Sequence, residues 1–212
     1  MKSNKPLISS ILIILFHVVG LIGFLTPSLS PLFIKIVPFH LLLMMLLLIF
    51  AHPDRNKEYW LFIVVTYFAG FIIELLGVTS GLIFGSYHYG DTLGWKISEV
   101  PLLIGINWVI LIYCTGAVVK RFKIKSYIVR SLIGALFLVL LDILIEPIAI
   151  KFDYWRWDEM NIPFQNYIAW FVFSFIMLQF FFARQFRKKN LSADTMLICQ
   201  VVFFLVLNLW SY

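Results

Sequence analysis

The chain has 212 residues, of which 62% are hydrophobic and only 13% charged, with a mean hydropathy of +0.95. That balance lies far outside the range of water-soluble domains and reads as an integral membrane protein. The net charge of +6 is then a matter of membrane topology, and the basic runs KRFKIK and RQFRKK read as membrane-surface anchors with no nucleic acid as partner.

In chain order, seven apolar stretches are long enough to cross a hydrocarbon core of roughly 30 Å, which takes about 20 helical residues. They lie near 7–25, 32–50, 59–77, 99–118, 127–149, 164–183 and 193–210. The runs are continuously apolar, where a barrel strand would alternate, and a helix satisfies its own backbone in lipid. The first stretch lacks a small-residue cleavage site and leads into TPSLSP and a second span, so it is expected to be a helix and not a signal peptide. No repeat, low-complexity tract or composition shift marks a second unit, so the expected architecture is one all-α transmembrane bundle over residues 1–212.

The Lys/Arg distribution predicts a cytoplasmic N-terminus. On that side fall Lys2, Lys5, Arg55, Lys57, Lys120, Arg121, Lys123, Lys125, Arg130, Arg184, Arg187, Lys188 and Lys189, which are 13 of the 17 basic residues. Lys35, Lys96, Lys151 and Arg156 fall in the outer half, as do most of the acids.

Three acids do not fit a loop role: Glu74 in the third stretch, and Asp142 and Glu146 of LDILIEP in the fifth. A charged group at membrane depth costs roughly 2.5–3.5 kcal/mol on insertion scales, so acids placed there face a polar interior and commonly act on something. Asp142 is 12 residues beyond Arg130, about 18 Å along a helix, past the midplane and still within hydrocarbon. A spacing of four puts Asp142 and Glu146 on one helix face, with Pro147 marking a kink or helix end. Carboxylates this close resist joint ionisation, so one is expected to hold a proton at neutral pH. Tyr67, Gly70, Phe71 and Glu74 share a face of the third span. The competing reading makes each acid a structural hydrogen-bond partner between helices.

Between the third and fourth spans, residues 78–98 combine glycines with Tyr87, His88, Tyr89 and Trp95 and suit an outer or re-entrant segment. Gly77, Gly81 and Gly85 equally read as a small-residue series extending the third helix. For these aromatics, and for Trp155 and Trp157 further on, the plain alternative is an interfacial belt. Other chemistry lacks its residues. His17, His40, His52 and His88 form no histidine box, Cys114 and Cys199 form no CxxC, and neither GxGxxG nor GxSxG is present, so no metal or cofactor is expected.

The series Glu74, Gly77, Gly81, Phe84-Gly85, Tyr87, Tyr89, Val100-Pro101, Trp108, Leu141-Asp142, Glu146-Pro147, Trp155 and Trp157, spread over residues 60–170, resembles the carotenoid 1,2-hydratase family of membrane-embedded bacterial and archaeal proteins. The resemblance implies a cofactor-free hydro-lyase of the cytoplasmic (inner) membrane. It would add water across the terminal C1=C2 double bond of an acyclic ψ end group on a carotenoid such as lycopene or γ-carotene. Residue roles come from chemistry alone. Protonation at C2 leaves a tertiary cation at C1, which water captures. Asp142 is the first choice for the acid, with Glu146 or Glu74 as the base that orients water. Tyr87, Tyr89, Trp155 and Trp157 are candidate cation stabilisers. Tyr67, Trp108 and Glu99 complete the candidate substrate-binding set. A lycopene-type cyclase, a proton-coupled transporter and a structural membrane subunit are the rival readings.

Overall fold

The first two apolar stretches become helices over their whole length, with a proline in the first turn of each and one more, Pro38, inside the second, where it removes a backbone hydrogen bond without ending the helix. α1 (Lys5–Leu25) and α2 (Ser30–Ala51) each carry a proline in the first turn, where the missing N–H has no helical partner in any case. This is a computed structural model that describes residues 4–159 and 161–210, so Lys2 lies outside the described residues. α3 (Lys57–Ser80) starts at Asn56, whose side chain accepts from the Tyr59 amide at 3.0 Å. It stops at Gly81, which takes φ +66° and donates its amide to the Gly77 carbonyl. That stop settles the glycine series: helix ends there, and no extended helix–helix seam runs on to Gly85.

The chain then leaves the helical layer. β1 (Tyr87–Tyr89) is followed by a 3-10 turn over Asp91–Leu93 and by a small hairpin of β2 (Lys96–Ile97) and β3 (Val100–Pro101). Ser98 and Glu99, the two residues between β2 and β3, both have positive φ, as a type I′ hairpin turn requires. Residues 99–102 are therefore not part of the fourth span. α4 (Leu103–Val119) has 17 residues, about 25 Å of helix. α5 (Tyr127–Lys151) opens on Ser126 and runs through Pro147 without ending there. β4 (Trp155–Trp157), α6 (Phe164–Ala183) and α7 (Leu191–Trp210) complete the chain.

Among the described residues seven α-helices thus appear where seven apolar stretches were expected. Six are long and apolar enough to cross a membrane, and α4 is the short apolar one. α4 packs against α2, α3, α5, α6 and α7 and is the most buried of the set. The other helices keep apolar side chains outward, such as Ile11, Ile14 and Ile22 of α1 and Leu136 and Leu140 of α5, which suits a lipid surround. α3 and α4 approach closely because each presents a glycine. A Cβ at Gly70 would lie 2.7 Å from the Trp108 Cβ, and one at Gly105 would lie 2.8 Å from the Tyr67 carbonyl oxygen.

β1 and β4 pair antiparallel, with Tyr87 opposite Trp157, His88 opposite Arg156 and Tyr89 opposite Trp155. Both strands read aromatic–polar–aromatic, so the pleat sends all four rings to one face and both polar residues to the other. The ring face covers the ends of α3 and α5, which is where the acids lie. The segment beyond Gly81 is therefore an outer cap and not a re-entrant helix.

Candidate active site

Each acid reaches the cap end of the bundle from its own helix. Glu74 lies about a turn and a half before the end of α3. Asp142 and Glu146 lie on successive turns of α5, on its inward face. They are 5%, 0% and 1% exposed. Among the described residues, no Lys or Arg forms an ion pair with any of them. Neutral donors hold them instead.

Glu74 accepts three hydrogen bonds. The Tyr87 and Tyr89 hydroxyls donate to its Oε2 at 2.5 and 2.7 Å, and the Trp108 indole donates to Oε1 at 2.9 Å. Burial, reinforced by the neighbouring Glu74 carboxylate, holds both tyrosine hydroxyls well above the ordinary phenol range, so they remain protonated donors. Three donors converging on one carboxyl group fix its orientation. Glu146 is held from the other strand, by the Trp155 and Trp157 indoles, each donating to Oε2 at 3.0 Å. The ribbon therefore clamps two carboxylates, one strand to each.

The third acid is tied in from below. Asn166, in the first turn of α6 and 2% exposed, donates through Nδ2 to Asp142 Oδ2 at 2.9 Å and, at 3.4 Å, to Glu146 Oε1. The second Asp142 oxygen, Oδ1, is buried without a partner. Glu74, Glu146 and Asn166 line a small cavity, of about 20 Å³, with Tyr87, Trp108 and Trp157, whereas Asp142 is set behind Asn166 and does not line it. A larger apolar chamber, of about 100 Å³, between α1, α2, α4, α5 and α7, adjoins this nook. Ile104, Asn107 and Trp155 belong to the walls of both.

A carotenoid biosynthesis protein family model matches residues 35–211. The chain belongs to that family. A bisanhydrobacterioruberin hydratase from Haloarcula japonica is 25% identical over 188 residues, which cover 84% of this chain and 64% of that protein. This chain accordingly spans just under two thirds of that relative's length. No solved structure matches the chain.

In this family member the structure brings Glu74, Glu146, Tyr87, Tyr89, Trp108, Trp155 and Trp157 to one nook, with Asp142 immediately behind it. Two expected residues go elsewhere. Tyr67 donates its hydroxyl to the Leu102 carbonyl at 3.1 Å and lines a separate groove, because the α3–α4 contact at Gly105 directs its ring away from Glu74. Glu99 is exposed at the hairpin turn, where positive φ and not a ligand fixes its place.

Sequence reading missed Asn166, the bridge between the α5 acids, and Trp170, whose ring packs on Trp108 at 4.5 Å between centroids. The available signal was an Asn one turn ahead of a Trp inside an otherwise apolar span. Among the described residues, no group of three His, Cys, Asp or Glu side chains is placed to hold a metal ion.

Proposed function

We propose that this protein is a carotenoid hydratase that adds water to the terminal double bond of an acyclic ψ end group, with the reaction centred between Glu146 and Glu74. The observation carrying the reading is a pair of carboxylates clamped by one aromatic ribbon over a nook that adjoins an apolar chamber. The hydratase relative and the family add to it.

Glu146 hands its proton to C2 of the alkene, and the π electrons of C1=C2 form the new C2–H bond. The vacancy appears at tertiary C1. Tyr87, Trp155 and Trp157 present π faces to it, each such contact being worth about 0.5–2 kcal/mol. Glu74, fixed by its three donors and acting as the anion, stabilises the cation through space, orients water and takes the proton that water loses on forming the C1–O bond. A proton passed from Glu74 back to Glu146 through water resets the pair. Asp142, for which a direct role as acid is expected from sequence, becomes a positioning residue. It holds the Asn166 amide that also reaches Glu146, and so fixes where the donor carboxyl sits.

The test is expression in a bacterium that accumulates lycopene or γ-carotene. The pigment should gain the mass of one water per reacting end, with oxygen drawn from isotopically labelled water, and Glu74→Gln and Glu146→Gln should each abolish the gain. A product of unchanged mass with a closed ring would replace this reading by a cyclase. Unaltered pigment would sink both.

A further inference from the structure

The nook is roofed. Tyr87, Tyr89 and Trp157 of the ribbon are buried, and an apolar rod has no reason to arrive from water through them. A substrate dissolved in the bilayer must come from the side.

Three cavities lie in series toward the lipid. The acid nook shares Ile104, Asn107 and Trp155 with the apolar chamber. The chamber in turn shares Leu93 and Leu103 with an open groove of about 1000 Å³, bounded by the first half of α2, the Asp91–Trp95 turn and the start of α4. Leu93 is buried, 4% exposed, and sits in the 3-10 turn that packs on α2. The groove wall is graded. Ile34, Phe39, Leu42 and Ile106 make it apolar toward the bilayer, while Lys35, Asp91 and Asp153 give it a polar rim. Phe39 is 70% exposed, so this wall is open to lipid. The chamber itself is too shallow for a carotenoid. Its α7 wall runs from Met196 to Phe204, eight residues or about 12 Å of helix, much less than an extended polyene.

We propose that the groove and chamber together form the binding site of the polyene shaft. The end group enters laterally from the leaflet on the ribbon side, between α2 and the Asp91–Trp95 turn, and passes Leu93 and Leu103 to reach the nook. The rest of the polyene stays in the groove during turnover. This rests on the hydratase reading for its substrate, while its own content is the route and the Leu93–Leu103 junction.

Two measurements decide it. In the pigment-producing strain, Leu93→Trp and Leu103→Trp should each lower conversion about tenfold or more, a loss of roughly one decade in transition-state access. Leu136→Trp, on the lipid face of α5, should stay within about twofold. The second measurement needs no turnover. With Cys114 and Cys199 replaced by Ala, single Leu93→Cys and Phe39→Cys variants in lipid nanodiscs should be shielded from a membrane-permeant maleimide when lycopene is present, and Leu136→Cys should not. Wild-type conversion in both Trp variants, or equal labelling with and without lycopene, overturns the route. Absence of hydrated product from the unmodified protein strikes the hydratase reading alone, and the labelling result then decides the route by itself.

Discussion

Tyr87 and Trp157 face each other across the ribbon with ring centroids 5.2 Å apart, yet their polar atoms part company, the hydroxyl reaching Glu74 and the indole reaching Glu146. One cross-strand pair thereby fixes the separation of two carboxylates that come from different helices.

Removing the hydroxyls one at a time measures the charge on Glu74. A hydrogen bond to an ionised group is worth about 1.5–3 kcal/mol, so Tyr87→Phe and Tyr89→Phe should each slow turnover about tenfold to a hundredfold if Glu74 works as an anion. Pigment conversion at matched protein level is the measurement. Rates within about twofold of wild type for both variants would mean that Glu74 stays neutral, and the assignment of base would fall.

Trp157 has two separable contributions, a ring face and an N–H. Trp157→Phe keeps a π face and gives up the donor to Glu146, while Trp157→Leu gives up both. If the ring stabilises the C1 cation, the leucine variant should be slower than the phenylalanine variant by up to about 2 kcal/mol, or some thirtyfold. Equal rates in the two would leave Trp157 as a donor only.

The seven apolar stretches and the depth of the three acids were legible in the amino-acid order because helix length and charge cost are local properties. What joined Tyr87 to Trp157 was not, since the pairing spans 70 residues and rests on strands of three residues each. The aromatic–polar–aromatic alternation in YHY and WRW is visible in the sequence, but so short a pattern also fits an interfacial belt. The position of Asp142 behind an amide instead of in the open nook follows from α6 packing on α5, a contact that no spacing within α5 announces. Glu99 shows the converse: an acid near the right segment sits exposed at the hairpin turn, apart from the nook.

Asn166 serves Asp142 and Glu146 with the same amide nitrogen, so the pair can be tested by exchange. Asn166→Leu leaves buried carboxyl oxygens without a donor and should destabilise the protein by about 1–3 kcal/mol, read as a lower thermal midpoint in detergent. Asp142→Asn alone should fold and insert but lose most activity, because the Asn166 amide that bridges to Glu146 then loses its carboxyl anchor. Combining Asp142→Asn with Asn166→Asp restores one amide and one acid in the same space, and the stability changes should be less than additive. Additive losses would show that the two side chains are not coupled. Full activity in Asp142→Asn would remove this residue from the mechanism.

Gly70 and Gly105 offer a way to separate packing from chemistry, because both hold α3 against α4 and only one lies under a site residue. A Cβ at Gly70 would press on Trp108, whose indole donates to Glu74 at 2.9 Å, whereas a Cβ at Gly105 would press on Tyr67, outside the nook. Over-packing of this kind typically costs about 1–3 kcal/mol, so Gly70→Ala and Gly105→Ala should lower the thermal midpoint comparably. Activity should diverge. Gly70→Ala displaces Trp108 and strips Glu74 of a donor, so its turnover should fall to the level of Trp108→Phe, which removes that donor without widening the helix pair. Gly105→Ala leaves the Trp108–Glu74 bond in place, so below its own melting transition it should lose less turnover than Gly70→Ala, any loss reporting the groove that Tyr67 lines. If instead the two glycine variants lose activity in proportion to stability alone, the Trp108–Glu74 contact is a packing accessory and contributes nothing specific to the reaction.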